Sequence, residues 1–245
     1  MSKFGVILVA AGKSSRFKDD VKKPYADIDG RAVWLRAADL FISRKDVVQT
    51  ILVIAEEDEE NVRRRYGPNM AFMNVMLTLG GATRSDSVSN GLAKLQPDLH
   101  YVAIHDAVRP CATADMIDKV FSTAQETGAA ILASPIVDTL KRDNGNSCIE
   151  STVTREHLWL AQTPQVFRKE IIEKAYASRK MNSNITDDAQ LVEMLGVPVT
   201  LVSSDASNIK ITTKSDLYLA DAILKSRPKP KARAFHPFSE EDMWK

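Results

Sequence analysis

Three segments of the chain combine small and charged residues in ways that suit different parts of a nucleotide. The first is Ala10-Ala11-Gly12-Lys13-Ser14-Ser15-Arg16, followed by Lys18, Lys22 and Lys23. Small residues let backbone N–H groups approach a phosphate, and the basic side chains supply charge; a solvated basic loop would use the same residues. The second is Gly80-Gly81-Ala82-Thr83-Arg84-Ser85-Asp86-Ser87. Paired glycines before a helix let a base or ribose approach the backbone; a tight turn with an N-capping Ser or Asp would use the same residues. The third is His105-Asp106-Ala107-Val108-Arg109-Pro110. A carboxylate with arginine nearby suits a divalent metal on a polyphosphate, or equally an Asp–Arg ion pair. Lys210, in an apolar stretch, either meets an anion or carries its amine out to solvent.

Two common nucleotide motifs are absent. A Walker A loop ending in Gly12-Lys13-Ser14 would need glycine at position 7, which is Ile7. A dinucleotide fingerprint needs a second glycine at position 14, which is Ser14, so hydride transfer loses its main support. Four scattered histidines and two distant cysteines offer no zinc spacing. His105 taken alone reads as a hydrogen-bonded core histidine. Thr186-Asp187-Asp188 reads first as a helix N-cap.

These segments must be held by something, and the hydrophobic pattern says what. Phe4–Val9, Thr50–Ala55, Val75–Leu79, Tyr101–His105 and Ala129–Ala133 are short apolar runs. Helix-period segments lie between them at 31–44, 56–66, 85–95 and 114–125, the last closed by Gly128. This alternation predicts an α/β fold with a doubly wound, mostly parallel, Rossmann-like sheet. In such sheets ligands bind beyond the carboxyl ends of the strands, where the three segments fall. The rhythm breaks at 136–160. There Val137, Thr139, Ile149, Thr152 and Val153 alternate with polar residues around Asp143-Asn144-Gly145-Asn146, predicting a protruding β-arm. It resumes with helices at 169–180 and 187–195, a strand at 198–202 and a helix at about 213–226. The expected organisation is one α/β domain over 1–226, with a flexible, basic, Pro-containing tail over 227–245.

Composition sets outer limits. The 245 residues are 44% hydrophobic, enough for a sizeable core. Net charge is +1, but six basic and three acidic residues lie from Lys225 onward, leaving the body at −2. Such a body is a poor general nucleic-acid binder, so anions must be met by local clusters. No apolar run is long enough for a membrane span, and the N-terminal run reads as a strand rather than a signal peptide. Cys111 and Cys148 make no disulfide framework, and a cytoplasmic location is expected.

Taken in order, the motifs resemble one family over roughly residues 4–224. They are Ala10-Ala11-Gly12…Arg16 with Lys23-Pro24-Tyr25, Gly80-Gly81…Arg84…Asp86-Ser87-Val88, and His105-Asp106-Ala107-Val108-Arg109-Pro110. Asp138-Thr139-Leu140-Lys141, Thr154-Arg155…Leu158-Trp159 and Gln162-Thr163-Pro164-Gln165 follow. Thr186-Asp187-Asp188-Ala189 and Asn208-Ile209-Lys210-Ile211-Thr212 complete the series. The sequence is similar to the 2-C-methyl-D-erythritol 4-phosphate cytidylyltransferases of the non-mevalonate isoprenoid pathway.

The resemblance implies that CMP is transferred from CTP to 2-C-methyl-D-erythritol 4-phosphate, with magnesium or another divalent cation. It implies that Ala10, Ala11, Gly12, Gly80, Gly81, Ser87, Asp106 and Ala107 hold CTP, with Asp106 also near the metal. Arg16 and Lys23 correspond to transition-state stabilisers. Arg155 and Lys210 correspond to residues that place the acceptor phosphate, with Asp106, Arg109, Thr139 and Thr186 completing the acceptor site. The 136–160 arm corresponds to one that crosses to a second subunit, making a homodimer with neither nucleic acid nor membrane as partner. Sister enzymes carry out the same chemistry on ribitol 5-phosphate. A rival of another class is a non-catalytic nucleotide-binding module; Lys23 and Arg16 beside an acceptor clamp argue against it. Three positions depart from the family's usual pattern: Ser14 in place of a glycine, Pro24 between Lys23 and Tyr25, and Ala82 where an acidic residue is common.

Overall fold

A computed structural model describes residues 1–14, 17, 21–179 and 185–228. Its strands are β1 (Phe4–Val9), β2 (Asp27–Ile28), β3 (Arg31–Ala32), β4 (Val47–Ile54), β5 (Val75–Leu79), β6 (Tyr101–Asp106) and β7 (Ala129–Pro135). They continue as β8 (Leu140–Asp143), β9 (Ile149–Val153), β10 (Trp159–Arg168) and β11 (Thr200–Ser203). The helices are α1 (Val33–Ile42), α2 (Glu59–Met73), α3 (Arg84–Leu92), α4 (Ala114–Thr127), α5 (Lys169–Ala177), α6 (Asp188–Glu193) and α7 (Lys214–Ser226).

Seven strands form the main sheet in the order β11-β7-β10-β6-β1-β4-β5. All pairings are parallel except those of β10, which runs antiparallel to both β6 and β7. Every residue of β1 is buried, as a central strand covered on both faces requires. On one face Trp34, Val62, Met116, Ile117 and Phe121 from α1, α2 and α4 pack over Phe4, Val6 and Leu8. On the other, Val88, Leu92, Ile172 and Leu191 from α3, α5 and α6 cover Ile7, Val9, Ile51 and Ile104. This is the doubly wound sheet expected from the sequence. A third cluster joins Ile28, Val33, Ile211 and Ala220, seating α7 beside the β2–β3 ribbon.

Local signals hold where they were strongest. Thr83 and Asp86 form a capping box at the start of α3, Thr213 and Asp216 another at α7. Gly128 ends α4 at φ +89°, the left-handed C-cap that glycine adopts without penalty.

Several elements depart from the expected pattern, among them the β2–β3 ribbon, whose Arg31–Ala32 strand takes the first two residues of the helix expected over 31–44. The helix expected over 56–66 begins as a 3₁₀ turn at Glu56–Asp58, then runs as α2 through Gly67-Pro68 to Met73. Burial of Tyr66, Met70 and Met73 holds it against the breaking tendency of the Gly-Pro pair. Strand β10 was not expected. It occupies 159–168, overlapping the last two residues assigned to the arm, and carries a register irregularity between Ala161 and Gln165 around Pro164. A proline within a run argues against a central strand, and the bulge is how this one is accommodated.

The arm is present as the β8–β9 ribbon, with Gly145 at φ +83° in its turn. Its apolar residues find little cover: Val137 is 72% and Ile149 68% exposed. Of the expected tail, positions from 229 on lie outside the described residues. Arg227, at its start, is held: its guanidinium donates to the carbonyls of Cys111 and Ala112. Among the described residues no helix is long and apolar enough to cross a membrane.

Candidate active site

A cleft of about 640 Å³ opens at the carboxyl ends of β1, β5 and β6. Its walls include Ala10–Lys13, Lys23-Pro24, Gly80–Arg84, Ser87, Asp106, Val108 and Lys210. The three charged segments singled out in the sequence therefore converge on one place. Arg16 lies outside the described residues.

The β1 loop is laid out by its backbone. Ala10 N–H donates to Val53 O at 2.8 Å, continuing the β4 ladder one residue past the strand. Ser14 takes φ +53°, a left-handed conformation that glycine would adopt more readily. Its hydroxyl accepts from the Lys23 N–H at 3.3 Å, joining the two basic parts of the wall. Lys22, next in line, is clamped by Glu57 at 2.7 Å and Asp58 at 2.8 Å. Asp58 also accepts from the Tyr25 hydroxyl at 3.2 Å, tying the Lys23–Tyr25 turn to the start of α2.

The glycines divide into two kinds. A Cβ on Gly80 would lie 2.6 Å from both Ala11 Cβ and Ser87 Oγ; one on Gly81 would lie 2.5 Å from Asp86 Cβ. Their missing side chains are filled by the protein itself, so tight loop packing is the first reason for the pair. Gly12 faces open space, with nothing within 4 Å of an added Cβ. Ser87 Oγ accepts from Gly81 N–H at 3.1 Å and donates to Thr83 O at 2.9 Å, fixing the rim.

Asp106 is the electrostatic centre. Lys210 Nζ stands 2.7 Å from its carboxylate, Arg84 Nε 3.4 Å and Arg109 Nε 3.8 Å. Burial opposes ionisation, but Arg84, Lys210 and Arg109 together outweigh it and hold the Asp106 pKa well below the usual carboxylate range. Burial lowers the Arg109 pKa against the attraction of Asp106. Arg84 has the opposite balance: burial would lower its pKa, while Asp188 and Asp106 raise it further.

Beneath Asp106 lies a neutral relay. Thr163 Oγ1 accepts from the Asp106 N–H at 3.0 Å and stands 3.1 Å from His105 Nδ1. His105 Nε2 is 3.0 Å from Arg109 O, an acceptor only, so Nε2 carries the proton and Nδ1 accepts from Thr163. Burial pushes the His105 pKa down to about 4, keeping the ring neutral. His105 is thus the satisfied core histidine read from the sequence.

The remaining expected site residues are placed differently. Ala107 is fully buried, its N–H donating to Val9 O at 3.0 Å. Arg109 lies behind Asp106 and donates to Asn208 O at 2.6 Å. Thr139 and Arg155 are exposed on the arm and do not line the cleft. Thr186 is exposed, its N–H and hydroxyl donating to Gln190 Oε1. Asp187 is the N-cap of α6, as expected. Sequence reasoning gave no role to Arg84, Asp188, Gln165 or Asn208. All four stand in recognised motifs, but nothing in the sequence says that their side chains meet.

A mostly parallel α/β sheet with a cleft at its strand ends, lined by Lys13, Lys23, Arg84 and Lys210 beside small residues, is the arrangement of an α/β protein suited to an anionic ligand. The model of the family "IspD: 2-C-methyl-D-erythritol 4-phosphate cytidylyltransferase" matches residues 4–226, and the chain belongs to that family. Among similar proteins, a 2-C-methyl-D-erythritol 4-phosphate cytidylyltransferase of Rhodopirellula baltica is 42% identical over 230 residues, covering 89% of this chain and 93% of its own length. Another, of Pelotomaculum thermopropionicum, is 40% identical, covering 93% and 96%. The crystal structure of the Thermus thermophilus enzyme of that name superimposes with a TM-score of 0.74 at 31% identity, covering 92% of this chain and all of that one.

Proposed function

We propose that the cleft transfers CMP from CTP to 2-C-methyl-D-erythritol 4-phosphate, giving 4-CDP-2-C-methyl-D-erythritol and pyrophosphate. The observation that carries this reading is the convergence of Ala10–Gly12, Lys23, Asp106 and Lys210 on one cleft in a chain of this family. An oxygen of the acceptor phosphate attacks the α-phosphorus of CTP. The new P–O bond forms as the bond to the β-phosphate bridge breaks, and pyrophosphate leaves with that electron pair. Charge gathers on oxygens, so positioning and fixed positive charge are what the protein must supply. Lys23 and Arg16 stabilise the α-phosphate, and Lys210 turns from Asp106 to the incoming acceptor phosphate. Ala10, Ala11, Gly12, Gly80, Gly81 and Ser87 line the nucleotide side.

A magnesium ion fits these residues in a limited sense. Among the described residues no cluster of three acidic, histidine or cysteine side chains exists to cage a metal. Magnesium on a nucleotide usually takes one or two carboxylates, with phosphates and water completing its shell, and Asp106 is one such carboxylate on the cleft wall. When bound, the ion neutralises triphosphate charge.

The arrangement proposed is one catalytic domain over 1–226, working in the cytoplasm as a homodimer through the 136–160 arm. Supporting the dimer are the exposed Val137, Ile149 and Leu160 and the Arg155 side chain, for which no ion pair is seen among the described residues. Arg155 and Thr139 would then serve the cleft of the other subunit.

The test is pyrophosphate release with CTP and 2-C-methyl-D-erythritol 4-phosphate, run beside ribitol 5-phosphate and with ATP replacing CTP. Turnover with the first pair only is expected. Equal turnover with ribitol 5-phosphate or with ATP would reject the assignment of acceptor or base.

A further inference from the structure

Arg84 does not meet Asp106 alone. Its other guanidinium arm lies 2.8 Å from Asp188 Oδ2, and the Asp188 side chain is fully buried. Asp188 stands at the start of α6, behind the cleft wall, and Arg84 is the residue that links the two. Two further residues fix Asp188, one through its carboxylate and one through the backbone of its turn. The Tyr176 hydroxyl donates to Asp188 Oδ1 at 2.6 Å. Gln165 Oε1 accepts from the Asp188 and Ala189 N–H groups at 3.1 and 3.0 Å. Gln165 Nε2 donates to Asp187 Oδ2 at 2.8 Å, so both ends of one amide hold this turn. Burial, then Asp188 itself, keep Tyr176 protonated, so it remains a donor.

Stability alone is a weak reason for such a site. A buried ion pair seldom outperforms well-packed apolar side chains of similar volume. What the pair does provide is direction: a long guanidinium is anchored at one end and presented to Asp106 at the other. Without Asp188, Arg84 would be drawn wholly onto Asp106 or into the cleft.

We propose that Asp188 is a positioning residue of this active site, acting through Arg84 to hold the Asp106 carboxylate, with Tyr176 and Gln165 keeping Asp188 in place. The proposal rests on the cytidylyltransferase reading. It requires that the effect of Asp188 disappear once Arg84 is gone, which a purely structural role does not require.

The experiment is a double-mutant cycle on the full chain. Asp188→Asn, Arg84→Gln and the double variant are compared for kcat and KM in pyrophosphate release with CTP and 2-C-methyl-D-erythritol 4-phosphate, and for thermal unfolding. A misplacement of about 1 Å loses roughly 10²-fold in rate, so Asp188→Asn should lower kcat/KM by about that factor. The double variant should be no slower than Arg84→Gln. Multiplying losses, or an Asp188→Asn protein with wild-type kinetics, would overturn the proposal. Should Asp188→Asn fail to fold, Tyr176→Phe takes its place in the cycle, since it keeps the carboxylate and its burial. It should lower kcat/KM several-fold in the wild-type background and leave Arg84→Gln unchanged; wild-type kinetics, or equal losses in both backgrounds, would overturn the proposal. Absence of turnover in the wild-type protein would instead reject the functional reading, so the two failures are distinct.

Discussion

Replacing each of two cleft glycines by alanine should separate packing from ligand binding. At Gly80 an added Cβ meets Ala11 Cβ and Ser87 Oγ at 2.6 Å and Ile54 O at 3.2 Å. None of these yields easily. Ser87 Oγ is held by Gly81 and Thr83, and Ile54 O accepts the Gly80 N–H at 2.7 Å. Overpacking of this kind costs about 1–3 kcal/mol. For a chain of this size each kcal/mol lowers Tm by roughly 2–4 °C, so Gly80→Ala should melt about 2–12 °C below wild type. At Gly12 the added Cβ meets nothing within 4 Å, and Gly12 is not among the positive-φ residues. Gly12→Ala should melt at or slightly above wild type, because alanine narrows the unfolded ensemble. Gly12 does, however, belong to the cleft lining, and the proposed function puts the nucleotide beside it. If CTP packs there as closely as a protein core, the loss is again about 1–3 kcal/mol, roughly 5- to 150-fold in Kd. Thermal unfolding and calorimetric titration with CTP on both variants decide the matter. Wild-type CTP affinity in Gly12→Ala would refute close approach of the nucleotide to the β1 loop. An unchanged melting point in Gly80→Ala would refute the tight contact between the loops.

Three further outcomes are expected. Lys23→Ala should lower kcat by about 10²–10³ with little change in CTP affinity, as for loss of a charge aimed at the transition state; near wild-type turnover in a stopped assay would remove that role. Ser14→Gly should relieve a left-handed conformation worth about 1–2 kcal/mol while removing the hydroxyl that accepts from Lys23 N–H, so the protein should melt higher and turn over more slowly. His105 should make the fold acid-sensitive: the unfolded chain takes up this proton near pH 6.5, the folded one only near 4. Its contribution, about 3 kcal/mol, is full above pH 6.5 and lost as pH falls towards 4, and urea unfolding of His105→Gln should show a shallower decline over that window.

Much of the architecture was legible because it follows from local periodicity. Short apolar runs named β1, β4, β5 and β6, three of them followed by glycine or ending in aspartate, and with them the edge of the sheet where the cleft opens. Strand β10 was not legible, since Gln162, Pro164 and Gln165 interrupt its apolar pattern and its place between β6 and β7 is set by long-range pairing. The site divides in the same way. Asp106 drew notice as a carboxylate at a strand end with arginine nearby, Lys23 as part of a basic cluster beside small residues and Lys210 as a lysine in an apolar stretch, while their roles came from the family resemblance. The pairing of Arg84 with Asp188 could not be read, since it joins residues more than a hundred positions apart through a fully buried contact. The Gly80-Gly81 pair left two readings open, ligand approach or a tight capped turn, and the capping box of Thr83 and Asp86 with the close packing of both glycines bears out the turn.

The position of Arg155 leads to a prediction about assembly. Its place on the arm, beyond β9, leaves the cleft of its own chain without one of the two residues expected to hold the acceptor phosphate. The competing account is an ion pair with Glu156 or Asp138 in the same chain; among the described residues neither pair is formed, and Glu156 lies 3.6 Å from His157. An isolated two-stranded ribbon is marginal in water, and this one exposes Val137 and Ile149. A two-fold dimer would cover them and bring Arg155 of the partner subunit to each cleft. Complementation then gives a quantitative test. Arg155→Ala and Lys23→Ala proteins, each nearly inactive, are mixed in equal amounts and allowed to exchange subunits. Half the dimers at full exchange are mixed, and each mixed dimer has one site carrying both lesions and one carrying neither. The mixture should therefore recover about one quarter of wild-type turnover if sites act independently. No recovery after exchange has been shown by mass spectrometry of tagged subunits would mean that each site is built from a single chain.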